Sequence, residues 1–194
     1  YLAEINKEEV KVSNKNLSPN GQYLLMDKAV HVKDVAGKDI YNDLPKSDAY
    51  VYTSLDYRHW DKYNDGSYNH VFYKDVKSGA ETDITPQQPY YTPQAPFGGD
   101  EDYIWGPKGE NIYYVSKKKA GTDYAVSTNT DIYKHNLNTR TTENVTDENK
   151  GYDTQPAFSK DGALAWLQMK TDGYEADKND IMVLQNGVKQ NLTS

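Results

Sequence analysis

A chain of 194 residues carries 22 Lys and Arg against 29 Asp and Glu, a formal net charge of -7 at pH 7 with His neutral, and contains no cysteine. The charge excludes a basic nucleic-acid footprint and disfavours an anionic membrane surface as partner. No apolar run approaches the roughly 20 residues that span a bilayer, and the lack of Cys removes disulfides, thiolate metal sites and cysteine nucleophiles together.

The length suits one domain with its own core and is too short for two large ones. Tyrosine is the dominant aromatic, 18 against 3 Phe and 3 Trp. An apolar ring with a hydroxyl tip suits half-buried strand faces, so the bias points to an all-β fold with wet surfaces. The chain opens mid-pattern at Tyr1-Leu2-Ala3-Glu4-Ile5 with no signal peptide, which reads as a cut through a longer protein. Residues 1–15, with a turn at Asn6-Lys7-Glu8, read as the tail of an earlier repeat unit. Residues 17–26 then place the turn Ser18-Pro19-Asn20-Gly21 before a strand, and an insertion follows over 44–69. A hairpin over 70–85 turns at Ser78-Gly79 and closes on Asp83-Ile84-Thr85. The Pro-rich segment Pro86 to Pro96 reads as a rigid connection rather than a polyproline ligand.

The same order then recurs. Gly106-Pro107-Lys108-Gly109 precedes a strand, Lys117-Lys118-Lys119 forms a solvated charge cluster, and a hairpin over 131–146 is expected to need positive φ at Asn138-Thr139. Ser159-Lys160-Asp161-Gly162 precedes a third strand. The acidic loop Asp172 to Asp177 follows, and a last hairpin over 180–193 turns at Asn186-Gly187. Asn16, Asn144 and Asn191 formally match glycosylation acceptors, but two of them belong to the closing repeat and read as strand-end polar groups. Two hairpins per unit give four strands per unit, and the closing Thr85, Thr146 and Thr193 are spaced near the length of a propeller blade. The predicted fold is therefore an all-β partial β-propeller of about three four-stranded antiparallel blades plus a preceding hairpin. The expected division is a tail over 1–15 and blades over 16–85, 86–146 and 147–194. A generic antiparallel sandwich is the alternative. Three blades do not close a ring, so self-association through open blade edges is expected.

The Ser-Pro-Asn-Gly and Ser-Lys-Asp-Gly turns, with Asp153-Thr154-Gln155-Pro156, resemble blades of prolyl oligopeptidase-family serine peptidases, and also those of the periplasmic protein TolB. Three stretches narrow the resemblance to the dipeptidyl-peptidase V and acylaminoacyl-peptidase branch. They are Tyr57-Arg58-His59-Trp60-Asp61, Pro96-Phe97-Gly98-Gly99 leading into Glu101-Asp102-Tyr103-Ile104-Trp105, and Asp172-Gly173-Tyr174-Glu175-Ala176-Asp177-Lys178-Asn179. The resemblance implies an N-terminal propeller over a C-terminal α/β-hydrolase domain that holds a Ser-Asp-His triad. The propeller would gate access and help bind the N-terminal end of a peptide substrate. It favours a periplasmic or secreted location.

No Gly-x-Ser-x-Gly elbow occurs, and none of His31, His59, His70 and His135 lies in a base motif, so no catalytic residue is assigned and this chain alone is not an enzyme. No cofactor is implied. The acidic pair that marks the dipeptidyl-peptidase IV branch is not carried over to Glu8-Glu9, since its motif is missing. Arg58, Trp60, Asp61 and Tyr57 are the first substrate-binding candidates: a bidentate donor, an apolar wall and an amine acceptor. A structural ion pair between Arg58 and Asp61 beneath Trp60 is the competing expectation. Glu175 and Asp177 are candidates for attracting an amino terminus. The spacing of the 172–177 loop does not fit a calcium loop, so no metal is assigned. A stand-alone TolB-like interaction module is the second functional reading. A carbohydrate binder is a third, disfavoured because the tyrosines are expected to follow strands rather than cluster.

Overall fold

The computed structural model describes residues 16–55 and 57–194; the expected tail over 1–15 lies outside them. Three antiparallel sheets follow one another along the chain. The first holds β1 (Tyr23–His31), β4 (Ser67–Asp75) and β5 (Glu81–Asp83), and between β1 and β4 lies a small ribbon of β2 (Arg58–His59) and β3 (Lys62–Tyr63). The second holds β6 (Tyr103–Trp105), β7 (Asn111–Ser116), β8 (Asp131–Asn136) and β9 (Thr142–Asn144). The third holds β10 (Asp153–Phe158), β11 (Leu164–Gln168), β12 (Asp180–Gln185) and β13 (Val188–Asn191). Each is a meander in sequence order. In the first, the place of an inner strand is taken by a single bridge, Leu17 to Leu24, with Leu25 N–H donating to Asn16 O at 2.7 Å.

The packing shows why this is a row of blades and not a two-sheet sandwich. Strand alternation in the middle blade sends Ile112, Tyr114 and Tyr133 to one side, where they join Leu25, Val71 and Ile84 of the first blade. It sends Val115 and Ile132 to the other side, against Leu164 and Trp166 of the third. A sheet covered on both faces reads as a near-continuous apolar run, as Ile112-Tyr113-Tyr114-Val115 does. The chain is a partial β-propeller.

The repeats have local causes. Each first turn closes with the glycine N–H on the carbonyl three residues earlier: Gly21 on Ser18, Gly109 on Gly106 and Gly162 on Ser159, at 2.8 to 3.0 Å. All three glycines take positive φ. Each closing motif folds a side-chain oxygen onto the Thr backbone: Asp83 Oδ1, Asn144 Oδ1 and Asn191 Oδ1 accept from Thr85, Thr146 and Thr193 N–H at 2.8 to 3.0 Å. The formal glycosylation triplets at Asn144 and Asn191 are thus turn-closing groups. One expectation is corrected. In the second hairpin the left-handed residue is Arg140, at φ 56, and not Asn138 or Thr139. Arg140 occupies the place of Gly79, because Asn136 Oδ1 and Asp75 Oδ1 each accept from the backbone N–H groups two and three residues on. A side chain in that region costs roughly 1–2 kcal/mol, against roughly 0.5–1 for the extra chain entropy of glycine. Arg140→Gly is expected to raise the melting temperature by about 1–4 °C in a thermal melt.

The long segments all leave the same end of the blades. Meander topology puts the second-to-third strand connections (32–66, 117–130, 169–179) and the inter-blade connections (84–102, 145–152) together, and leaves the tight turns at the other end. Those turns touch: an added Cβ at Gly109 would meet Asn20, and one at Gly162 would meet Pro107. The insertion between β1 and β4 opens earlier than expected, at 32 rather than 44, and ends at 66 because β4 begins at Ser67.

Candidate substrate-binding site

The first-blade insertion is built to present the β2–β3 ribbon. A short helix α1 (Gly37–Ile40) is held by Gly37 N–H to Ala49 O and Val51 N–H to Val35 O, both 2.7 Å. Its neck is tight: a Cβ at Gly66 would fall 1.8 Å from Lys33 O. The ribbon is anchored through Asn64. Tyr52 Oη donates to Asn64 O at 2.6 Å, and the Asn64 amide donates to Tyr91 Oη at 3.1 Å. The tyrosines of this segment do cluster, contrary to expectation. Tyr50, Tyr52, Tyr57 and Tyr63 pack ring against ring at 5.3 to 6.4 Å.

The third-blade loop 169–179 is held by its own carboxylates. Asp172 Oδ1 accepts from Ser127 Oγ and Thr128 N–H, both at 2.7 Å, tying the loop to the segment after α2 (Gly121–Val126). Asp177 Oδ2 accepts from Lys170 N–H at 3.1 Å and Thr171 N–H at 2.8 Å. The acidic loop therefore spends Asp177 on its own shape and Asp172 on its tie to the middle blade. Among the described residues no group of three His, Asp or Glu side chains is arranged to hold a metal ion.

The first inter-blade connection folds around a buried carboxyl. Asp102, 4 % exposed, accepts from Gln94 N–H at 2.8 Å, and Gly98 N–H closes the turn onto Gln94 O at 2.6 Å. Burial pushes the Asp102 carboxyl up to about 6 against that one backbone donor, and the neighbouring Glu101 charge adds to the rise. The Pro-rich stretch before it is a fixed connection. Ser116 Oγ donates to Tyr91 O at 3.1 Å, and Thr92 Oγ1 to Val115 O at 3.0 Å.

These segments line an open cavity of about 1090 Å³. Tyr57, Arg58 and His59 line it from the ribbon, Phe97, Gly98, Glu101 and Asp102 from the connection, Lys117 and Tyr124 from the middle blade, and Tyr152, Gln155, Met169 and Glu175 from the third. Of the sequence candidates, Tyr57, Arg58 and Glu175 are brought together here. Trp60 and Asp61 sit at the ribbon tip outside the lining, and Asp177 is occupied as described. The expected Arg58–Asp61 ion pair does not form: both side chains are exposed, and no salt bridge joins them among the described residues. Arg58 pairs across the ribbon with Tyr63 and lines the cavity, whereas Asp61 lies in the turn beyond the His59–Lys62 pair. Lys117 and Lys118 are not simply solvated, contrary to expectation. Lys117 is buried with its Nζ 4.2 Å from the Tyr124 ring centroid, and Lys118 Nζ lies 3.9 Å over Tyr133. Burial lowers the Lys118 pKa, opposed by the Asp131 charge.

Glu101, Asp102, Lys117 and Tyr152 are cavity residues that the sequence reading missed. For Asp102 the signal was present in the Phe97-Gly98-Gly99 stretch, whose glycines let the backbone crowd a carboxyl.

Comparison with known proteins places the chain. No protein-family model matches it. It is 43% identical over 150 residues to dipeptidyl-peptidase 5 of Porphyromonas gingivalis, covering 75% of this chain and 22% of that protein. The chain is related to the dipeptidyl-peptidase 5 proteins. The relative from Porphyromonas endodontalis is 37% identical over 164 residues, 82% of this chain and 23% of its own. The one from Schizosaccharomyces pombe is 29% identical over 208 residues, covering 98% and 30%. The chain thus spans under a third of the length of these relatives. Among solved structures, TolB from Acinetobacter baumannii aligns over 95% of this chain and 33% of its own, at 12% identity and a TM-score of 0.49. The dipeptidyl-peptidase V resemblance read from residues 57–61, 96–105 and 172–179 agrees with these relatives. No described helix is long and apolar enough to cross a membrane.

Proposed function

We propose that this chain is the non-catalytic propeller region of a serine exopeptidase of the dipeptidyl-peptidase type. In this reading it gates access to a C-terminal α/β-hydrolase domain and holds the amino-terminal end of the peptide substrate. The observation that carries the reading is the cavity itself, where a guanidinium, Arg58, shares one space with the carboxyls of Glu101, Asp102 and Glu175. A peptide's first residues offer a cationic amine and a carbonyl oxygen. Carboxylates answer the amine, and a planar five-donor fork answers the carbonyl. A desolvated carboxylate such as Asp102 gains most from a cation brought beside it, because the interior screens the pair weakly. The relatives' name, dipeptidyl-peptidase, supports the substrate class.

The test is kinetic and uses the full-length natural protein. Arg58→Ala is expected to raise KM for peptide substrates about tenfold, in line with roughly 1.5–3 kcal/mol for a hydrogen bond to a charged group, with kcat changed less. An unchanged KM accompanied only by a lower melting temperature would mean that Arg58 serves the fold.

A further inference from the structure

The ribbon tip carries a conformational anomaly that the proposed site does not use. β2 and β3 are joined by a two-residue turn, since His59 pairs with Lys62 and only Trp60 and Asp61 lie between. Trp60 has φ 49, and Asp61 is not in the positive-φ region. A two-residue hairpin with positive φ at its first central position is the type that wants glycine there. The chain places its bulkiest side chain in that position instead. An observed outlier of this kind is a pointer to function, because nothing in the turn itself rewards it. Gln155, another non-glycine residue at positive φ, also lines the cavity.

The Trp60 ring is not compensated by burial. It is 67 % exposed and rests on Phe97, which is 77 % exposed, with ring centroids 5.4 Å apart in an edge-on arrangement. The His59 ring flanks it at 5.0 Å. Phe97 belongs to the cavity wall, and its position is fixed from beneath by the Gly98–Gln94–Asp102 turn. Two large exposed rings therefore meet across the gap between the ribbon and the inter-blade connection, two residues from Arg58. Both come from elements that line the same cavity. Edge-on rings leave their faces open for a third apolar group.

Resting on the peptide-binding reading above, we infer that Trp60 and Phe97 form an aromatic clamp that selects peptides with a bulky apolar side chain in their first two residues. The backbone strain at Trp60 is what places the ring over Phe97. Replacing it with the residue the turn prefers relaxes the ribbon and removes half of the clamp.

Two non-cleavable tetrapeptide amides, each with a reduced second peptide bond, serve as probes: one with Phe at both first positions, one with Gly there. Binding to the full-length natural protein is read by calorimetry, alongside a thermal melt. For Trp60→Gly the expected result is a loss of at least tenfold in affinity for the Phe probe, less than twofold for the Gly probe, and an equal or higher melting temperature. Phe97→Ala, which leaves the ribbon untouched, is expected to show the same discrimination and stands as the test if Trp60→Gly alters the fold. Equal weakening of both probes, or no weakening of either, overturns the clamp. Arg58→Ala separates this from the underlying reading. If it weakens both probes while neither aromatic variant discriminates between them, only the clamp fails. If it weakens neither, the peptide-binding reading fails with it.

Discussion

Asp153→Ala is expected to destabilise the chain by roughly 3–5 kcal/mol, since each buried donor left unpaired costs about 1–3 kcal/mol. Asp153 is fully buried at the start of β10. Its Oδ1 accepts from Trp166 Nε1 and Gln168 Nε2, both at 2.8 Å, and its Oδ2 accepts from Asn149 Nδ2 at 3.1 Å. Its backbone is stitched to the middle blade as well, with N–H donating to Thr130 Oγ1 at 3.0 Å and the carbonyl accepting from that hydroxyl at 2.9 Å. Truncation strands the indole N–H inside the core between the second and third blades. Asp153→Asn keeps one acceptor oxygen but turns an NH2 group toward donors, so it should fall between wild type and the alanine variant. Denaturant midpoints at constant slope check both. A midpoint for Asp153→Ala within error of wild type would remove this residue from the blade's framework.

The second large effect is at the cavity wall. Gly98→Ala would place a Cβ 2.0 Å from Asp102 Oδ2, 2.4 Å from Gln94 N and 2.6 Å from Gln94 O. Two of these are backbone atoms of the turn and the third is a buried carboxyl, so no flexible side-chain end is available to yield. The turn must open, and the Gln94 N–H to Asp102 bond must break. Overpacking of this kind costs about 1–3 kcal/mol and occasionally more. The expected outcome is a lower melting temperature together with weakened peptide binding, because Phe97, Glu101 and Asp102 all shift with the turn. Gly79→Ala is a useful control: an added Cβ there meets nothing within 4 Å, though its φ of 73 still strains alanine. It should lower stability without touching peptide affinity. Binding preserved in Gly98→Ala would show that the connection does not shape the site.

The fold was legible because its repeats are local chemistry. Ser18-Pro19-Asn20-Gly21 and its two counterparts form the same bonded turn, and Asp83, Asn144 and Asn191 fold onto a threonine two residues later. Such signals lie within a few residues, so spacing reveals them. Arg140 escaped because a side-chain acceptor at Asn136 holds the turn well enough for a non-glycine residue to occupy glycine's place. The site was legible in part. Tyr57, Arg58 and Glu175 stood out because they lie in the stretches that carry the family resemblance, and they meet in one cavity. Asp177 looked equally available, but whether a loop carboxylate faces a ligand or caps its own backbone depends on where Lys170 and Thr171 come to lie. The burial of Asp102 and Lys117 depends likewise on contacts between segments distant in sequence. A run of three lysines reads as solvated until a tyrosine seven residues on, in α2, folds over the first of them.

In the proposed function the loop end of these blades receives a peptide's free amino terminus. The direct measurement is a calorimetric titration of the full-length natural protein with a non-cleavable peptide and its N-acetyl twin. The free-amine peptide is expected to bind at least tenfold more tightly at pH 7.5. That advantage should shrink below about pH 6, where the Asp102 carboxyl takes up its proton while the amine stays charged. Equal affinities for the two peptides across that range would rule this role out.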